Sequence, residues 1–241
     1  MFFRIGDFEI TSFGVLVALG ALVGLWVFRR ELQRSRLPES AVDSAVAGIL
    51  GGMAGAKLLW VFEHLGEEPA VDLLLSRGGM SWFGGLAGGM LAGLLVMQWK
   101  HLPKIAVLAA ATPALAVGHM IGRIGCFLVG DDYGRPTNLP WAVSFPQGLP
   151  PTTVGVHPTQ LYEAAGLVPI AFVLVRLRKQ GTPDRVVLGT YLVLAGALRF
   201  AIEFIRINER VIGVFSVAHL ASLAAVAAGG VLLLSAGRRT G

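Results

Sequence analysis

The chain has 241 residues, of which 54% are hydrophobic and only 15% are charged. This balance excludes an ordinary soluble domain and indicates an integral membrane protein, whose outer surface must match lipid. The net charge of +5 does not indicate nucleic-acid binding, because the basic residues cluster in short loops between apolar segments. A single cysteine, Cys126, excludes an internal disulfide and a cysteine-pair metal site, and we expect neither a metal nor a cofactor.

Seven apolar segments follow one another along the chain, and each supplies about the 17–25 residues that a membrane-spanning helix needs. They cover approximately residues 12–28, 41–62, 79–99, 104–122, 158–177, 186–206 and 213–235. Many glycines are spaced by four, which lets helices approach closely in lipid. The sequence therefore predicts an all-α integral membrane protein, with seven transmembrane helices in a single domain. We expect no cleavable signal peptide, because the first segment lacks a clear cleavage site.

The charges in the loops predict the orientation of these helices. One set of alternate loops carries twelve basic residues: Arg29, Arg30, Arg34, Arg36, Lys100, Lys104, Arg176, Arg178, Lys179, Arg185, Arg238 and Arg239. The opposite loops carry six: Arg4, Arg77, Arg123, Arg135, Arg206 and Arg210. Because basic residues accumulate in cytoplasmic loops, we expect the N-terminus outside and the C-terminus in the cytoplasm.

The longest loop, at about residues 123–157, is then extracytoplasmic. It is rich in proline and glycine, so it is either a structured cap over a site or a disordered linker. Its aromatic residues Phe127, Trp141 and Phe145 favour the structured cap. The short amphipathic segment at residues 69–77 is expected to lie in the outer membrane interface.

Charged residues fall within the outer half of several predicted spans. Arg123 ends the fourth span, and His119 precedes it by four residues, so both share one helix face. Arg199 and Glu203 have the same spacing in the sixth span. Charge at that depth costs about 2.5–3.5 kcal/mol per residue on insertion scales, so it usually marks a functional site. Guanidinium groups offer a planar fork of donors for phosphate oxygens, so these arginines indicate a phosphate pocket.

Each of these residues also has a purely structural interpretation. Arg199 and Glu203 could form an ion pair that only joins two spans, and Arg206 and Arg210 could reach towards lipid headgroups. His119 and Cys126 could be packing residues, and Asp131 could be a turn or cap residue. His157 could simply flank the start of a helix.

Four ordered segments resemble the prolipoprotein diacylglyceryl transferase family. They are Arg77–Gly85, Gly122–Arg135, His157–Glu163 and Gly196–Arg206. The resemblance implies a multi-pass protein of the bacterial inner membrane with an external N-terminus. It also implies a reaction that moves the diacylglyceryl group of phosphatidylglycerol, or of another anionic phospholipid, onto an acceptor in the membrane. In the family this acceptor is the cysteine thiol of a prolipoprotein, next to its signal peptide; glycerol phosphate leaves and a thioether forms.

The resemblance assigns roles by position. Arg123 would bind the phospholipid headgroup, Arg199 would assist the leaving phosphate, and Glu203 would orient one of these arginines. Further substrate-binding candidates are Lys57, Phe83, Cys126, Asp131, Asp132, Tyr133, Gly134 and Arg206.

The chain departs from the family pattern in ways that bear on proton transfer. Phe83 stands where the family has a histidine, and phenylalanine cannot take a proton. Cys126 replaces an asparagine, Asp131 a glutamate, and Phe13 a tyrosine of the first span. Either His119 or His157 replaces the lost base, or the acceptor differs.

Three hypotheses follow from this pattern. The first is the family reaction itself. The second is a sister transferase with a phospholipid donor and another acceptor, which the missing histidine favours. The third is a non-catalytic lipid-binding or transport protein, against which the retained arginines and carboxylates argue.

Overall fold

The computed structural model describes residues 3–5, 8–76 and 78–237, with side chains described from residue 11 onward. Arg77, Arg238 and Arg239, which entered the charge comparison, lie outside the described residues, as does the side chain of Arg4.

Helices make up most of the described chain. In order they are α1 Ser12–Arg34, α2 Val42–Glu63, α3 Ala70–Leu75, α4 Trp82–Trp99, α5 Lys104–Val129, α6 Thr159–Lys179, α7 Asp184–Glu203 and α8 Val217–Gly237. All except the short α3 are long and apolar enough to cross a membrane. The prediction of seven spanning helices is confirmed, and the chain is a multi-pass membrane protein.

The end of α5 differs from the prediction. The helix continues to Val129, so Arg123 lies inside it, and both the predicted span end at residue 122 and the loop start at 123 are wrong. Residues 124–129 contain no proline, and the helix ends only where Gly130 adopts a left-handed conformation with φ +76°. The Gly130 N–H donates to Phe127 O and the Asp131 N–H to Cys126 O, which is the Schellman end of a helix.

Other span edges also move, by up to six residues. Helix α1 runs six residues beyond the predicted end, to Arg34. Helix α7 ends at Glu203 rather than at residue 206, which leaves Arg206 in the connection to α8.

The described chain divides into two compact units by its internal contacts: residues up to 28 together with those from 108 onward, and residues 29–107. In the second unit, glycines on α2 and α4 bring the two backbones together. A Cβ on Gly51 would lie 2.8 Å from Gly88 O, and one on Gly89 would lie 2.9 Å from Gly48 O. The predicted role of glycines spaced by four is confirmed for this pair of helices.

In the first unit, small residues join α7 to α8. A Cβ on Gly189 would lie 2.9 Å from Gly229 O, and one on Gly196 would lie 3.0 Å from Ser222 O. This close contact places the start of α8 beside the end of α7.

The connection between α5 and α6 is ordered. It contains an antiparallel hairpin of strands β3 Val143–Phe145 and β4 Thr152–Val156, which follow the N-terminal pair β1 Phe3–Ile5 and β2 Phe8–Ile10. Tyr133 stacks on Phe145 with ring centroids 5.5 Å apart, and its hydroxyl donates to Pro150 O at 2.6 Å. Phe127, from the last turn of α5, meets the edge of the Phe145 ring at 5.6 Å. This small core ties the hairpin to the helix that carries Arg123.

Candidate functional site

Arg123 is held inside the first compact unit by two carboxylates. Its Nε lies 2.9 Å from Glu163 Oε2 on α6, and its Nη1 donates to Asp132 Oδ2 at 2.7 Å. The side chain is only 12% exposed. Buried charges must be paired, so these contacts explain how α5 can carry a guanidinium group at this position.

Asp132 bridges two arginines. One oxygen accepts from Arg123, and the other accepts from Nη2 of Arg206. Its backbone has φ +61°, a left-handed conformation that aspartate tolerates better than most residues. The hydroxyl of Thr159, at the start of α6, fixes this backbone by donating to Asp132 O at 2.7 Å.

The two adjacent aspartates have opposite electrostatic environments. Partial burial disfavours the charged form of Asp132, but Arg206 and Arg123 outweigh this effect and hold its pKa below the ordinary value of 3.8. Burial raises the pKa of Asp131 above that value, because the arginines act on it more weakly.

His119 shares the Arg123–Glu163 contact, as the spacing of four residues predicts. Its Nε2 accepts from Arg123 Nε at 3.2 Å and lies 3.4 Å from Glu163 Oε1. The ring is 41% exposed. A histidine that touches both a carboxylate and a cation is oriented by them, and it is still accessible.

Glu163 is a site residue that sequence reasoning passed over. It is almost fully buried and pairs with both Arg123 and His119. The signal was present, since Glu163 closes the segment His157–Glu163 and is a carboxylate inside a predicted span.

Arg199 and Glu203 form a second ion pair within α7. Arg199 Nη2 lies 2.7 Å from Glu203 Oε2, and Glu203 is fully buried. Arg206 Nε lies 3.8 Å from the same oxygen. Arg199 Nη1 is also buried, and it has no hydrogen-bond partner within the part of the chain that the structure describes. Glu203 thus links Arg199 to Arg206, and Asp132 links Arg206 to Arg123, so the three arginines belong to one charge cluster.

Glu203 has further partners that the sequence did not indicate. Its Oε1 accepts from Ser216 Oγ at 2.5 Å and from Asn208 Nδ2 at 2.8 Å. Both residues lie in or next to the connection between α7 and α8.

Four other predicted residues lie in the same unit. Cys126 Sγ lies 3.8 Å from Arg123 Nη1. Gly134 has no room for a side chain, since a Cβ would lie 2.7 Å from Ile205 O, whereas Tyr133 belongs to the hairpin core. His157 Nδ1 lies 3.3 Å from the hydroxyl of Tyr162.

Lys57 and Phe83 belong to the other compact unit. The Lys57 ammonium donates at 2.8 Å to Ser76 O, Ser76 Oγ and Gly78 O, so all three of its donors are used. Phe83 is half exposed and meets the Trp82 ring edge to face.

One group of residues has the composition of a metal site. Cys126, Asp131 and Asp132 place one sulfur and two carboxylate oxygens within 4.8 Å of one another. Two arginines already neutralise Asp132, however, so this group suits a cation poorly.

These features define a class: a multi-pass membrane protein with a buried cluster of arginines and carboxylates that is suited to an anionic lipid headgroup. The family model described as prolipoprotein diacylglyceryl transferase matches residues 1–235. The chain therefore belongs to the prolipoprotein diacylglyceryl transferase family, and the resemblance seen in the sequence is confirmed.

Relatives named phosphatidylglycerol–prolipoprotein diacylglyceryl transferase match most of the chain. The Geobacter sulfurreducens protein is 33% identical over 224 residues, which are 90% of this chain and 85% of the relative. The Finegoldia magna protein is 31% identical over 235 residues, which are 95% of this chain and 92% of the relative. The Methylococcus capsulatus protein is 32% identical over 219 residues, which are 86% of this chain and 82% of the relative.

The bridge formed by Asp132 predicts a pH-dependent loss of stability. Asp132→Asn should lower the free energy of unfolding by about 1–2 kcal/mol near neutral pH, because two charge-assisted contacts are weakened. A carboxyl with a lowered pKa stabilises the fold above its unfolded value, and this contribution disappears as the pH falls through the folded value. The difference in Tm between wild type and Asp132→Asn should therefore be constant above about pH 5 and shrink below about pH 4.

Thermal unfolding in detergent across this pH range measures the effect. Asp131→Asn is the matched control. The pKa of Asp131 is raised rather than lowered, so its effect on stability runs in the opposite direction. The wild type should lose stability relative to Asp131→Asn as the pH rises above 3.8. A Tm difference for Asp132→Asn that does not change with pH would contradict the ionic bridge.

Proposed function

We propose that this protein transfers the diacylglyceryl group of phosphatidylglycerol to the cysteine thiol of a prolipoprotein and releases glycerol phosphate. The names of the relatives and the family match support this function. The structural observation that carries it is the cluster of Arg123, Arg199 and Arg206, since a transferred group that departs from phosphate requires cationic donors around that phosphate.

In this reaction the thiol sulfur bonds to the glycerol carbon that carries the phosphate, and the carbon–oxygen bond to the phosphate breaks. Negative charge develops on the leaving phosphate, and the thiol proton passes to a base or to the leaving group. Catalysis therefore depends on cations fixed where this charge develops and on one proton acceptor.

Arg123 is proposed to bind the phosphodiester. Arg123 and Arg206 converge on the two oxygens of Asp132, so their guanidinium groups are spaced to hold two oxygens of one anion, and a phosphodiester there would compete with the Asp132 carboxylate. A phosphodiester presents two such oxygens, and guanidinium groups recognise them through paired hydrogen bonds.

Arg199 is proposed to stabilise the leaving phosphate. Glu203 holds one of its terminal nitrogens, while Nη1 is buried without a partner among the described residues. A buried donor without an acceptor is costly, so a phosphate oxygen at this position would be favourable.

His119 is proposed as the group that accepts the thiol proton. It contacts Arg123, and Glu163 Oε1 lies 3.4 Å from its Nε2. The Glu163 carboxylate favours the protonated ring that forms during proton transfer, and the Arg123 guanidinium opposes it, so proton transfer requires Arg123 to turn from the imidazole to the phosphodiester. His157 is the competing candidate; its Nδ1 faces the Tyr162 hydroxyl, which in turn accepts from the Trp141 indole N–H at 2.7 Å.

The proposed orientation places the N-terminus outside the bacterial inner membrane and the C-terminus in the cytoplasm. The connection between α5 and α6, with its hairpin, then forms an extracytoplasmic cap. The twelve-to-six distribution of basic residues supports this orientation.

The topology can be tested with single cysteines in a Cys126→Ser background. A membrane-impermeant maleimide applied to intact spheroplasts should label Gln147→Cys in the hairpin. It should label Gln33→Cys, near the end of α1, only after the membrane is permeabilised. Both positions are exposed. Labelling of Gln33→Cys in intact spheroplasts would reverse the orientation.

Complementation of a bacterial strain depleted of its own diacylglyceryl transferase tests the function, with mass spectrometry of a reporter lipoprotein as readout. The wild-type chain should add a thioether-linked diacylglyceryl group to the reporter cysteine. Arg123→Lys keeps the charge but loses the planar set of guanidinium donors. Turnover should therefore fall about 10²–10³-fold, as when an oxyanion donor is removed. Arg176→Lys, at the exposed far end of α6, is the matched control and should behave like wild type.

Each alternative function has its own outcome in this experiment. An unmodified reporter together with a diacylglyceryl group on another acceptor would indicate the sister transferase. Binding of phosphatidylglycerol without any transfer would indicate the non-catalytic protein.

The choice of base can be decided by an in vitro transfer assay on folded variants. His119→Ala should lower turnover by about 10²–10⁴-fold, the usual contribution of a general base. Full activity of His119→Ala with a loss in His157→Ala would move the role to His157. If both variants keep full activity, the proton passes to water or to the headgroup, and neither histidine is the base.

A further inference from the structure

A cluster of polar side chains lies directly behind the Arg199–Glu203 pair. It consists of Asn208, Ser216 and His219, which belong to the connection between α7 and α8 and to the first turn of α8. Ser216 and His219 are almost completely buried, with 2% and 0% exposure. Buried polar groups are costly unless they form hydrogen bonds, so the cluster requires an explanation.

The cluster fixes one oxygen of the Glu203 carboxylate. Ser216 Oγ and Asn208 Nδ2 both donate to Oε1, at 2.5 Å and 2.8 Å. The other oxygen, Oε2, then faces Arg199 Nη2 at 2.7 Å. Two donors on one oxygen remove the freedom of the carboxylate to rotate, and the direction of the Arg199 guanidinium is fixed with it.

His219 fixes the serine in turn. The backbone N–H of Ser216 donates to His219 Nδ1 at 3.1 Å, so a neutral ring carries its hydrogen on Nε2. An ionised carboxylate only accepts, so the Ser216 hydroxyl hydrogen must point to Glu203. Phe200, Phe204 and Phe215 surround the imidazole, with ring centroids 4.6–5.4 Å away, and hold it in place.

The arrangement is not a nucleophilic triad, although it contains serine, histidine and glutamate. A nucleophilic serine must reach the substrate and give its proton to the histidine. Ser216 is buried, and its proton is directed to Glu203 instead.

We propose that Ser216 and Asn208 are positioning residues that hold Glu203, and through it Arg199, in the orientation that leaves Arg199 Nη1 free for a phosphate oxygen. The effect on turnover rests on the proposed function; the effect on the orientation of Arg199 does not. Both side chains donate to Glu203, so we expect them to act on the rate through Arg199.

Four variants separate positioning from general stability. Ser216→Ala and Asn208→Ala each remove one hydrogen bond to Glu203, whereas Ser216→Thr keeps the hydroxyl. The matched control is Ser222→Ala in α8, a buried residue whose hydroxyl donates to Ala218 O of its own helix at 2.7 Å and contacts neither Glu203 nor Arg199 among the described hydrogen bonds. Asn208 is less buried than Ser216, so Asn208→Ala provides the test if Ser216→Ala fails to fold.

In the transfer assay, Ser216→Ala and Asn208→Ala should each lower kcat by about 10–100-fold, the loss expected for one hydrogen bond to a buried charged group. The KM for phosphatidylglycerol should stay within about twofold, because Arg123 is unaffected and the leaving phosphate gains charge only in the transition state. Ser216→Thr should recover most of the activity, and Ser222→Ala should match wild type. Equal losses in Ser216→Ala and Ser222→Ala would overturn the proposal.

A second readout does not depend on activity. Phenylglyoxal modifies accessible guanidinium groups, and mass spectrometry measures the rate at Arg199, with Arg178, which pairs with Asp184 at 2.6 Å, as internal reference. Arg199 should react several-fold faster in Ser216→Ala than in wild type. An unchanged rate overturns the positioning role whatever the kinetics. A faster rate together with an inactive wild-type protein would reject the proposed function and leave the positioning role intact.

Discussion

The pairing of buried guanidinium groups with carboxylates is the constraint on which the rest of the site depends. A charge taken into a membrane bundle is tolerated only with a partner of opposite sign. Arg123 on α5 pairs with Glu163 on α6, and Arg199 pairs with Glu203 within α7. The first pair joins two helices, and both pairs leave the cluster nearly balanced in charge. Such a cluster is stable without substrate, and Arg199 Nη1 still offers a donor to an additional anion.

The backbone around the cluster is shaped to bring these charges together. Gly130 ends α5 in a left-handed turn, and two residues later Asp132 places its carboxylate between Arg123 and Arg206. Gly134 then passes so close to Ile205 that no side chain would fit. The glycines of this segment therefore have a geometric role, because they let the chain after α5 return to the end of α7.

Hydropathy was sufficient to predict the seven helices but not their ends. A window of apolar residues does not detect the Schellman turn at Gly130, so the predicted span stopped at the first charge instead. Spacing within one helix correctly linked His119 to Arg123 and Arg199 to Glu203. It could not reveal that Ser216 reaches Glu203, because that contact forms only when α7 and α8 pack through small residues. Glu163 was detectable as a carboxylate inside a predicted span, but spacing could not reveal its partners, because Arg123 and His119 lie on another helix.

The replacement of the family histidine by Phe83 is compatible with the proposed reaction. Removal of the thiol proton needs less help from the protein than stabilisation of the leaving phosphate does. A cysteine thiol has an ordinary pKa of about 8.5, so it gives up its proton more readily than an alcohol, and the loss of one base slows the reaction rather than ending it. The phosphate leaving group has no comparable solvent alternative inside a membrane site, where charge must be stabilised by fixed donors. A chain can therefore lose one proton acceptor and keep the reaction, whereas it cannot lose the arginines. The residues that hold Arg199 in place, down to Ser216 and His219, are consequently under stronger physical constraint than the position of the base.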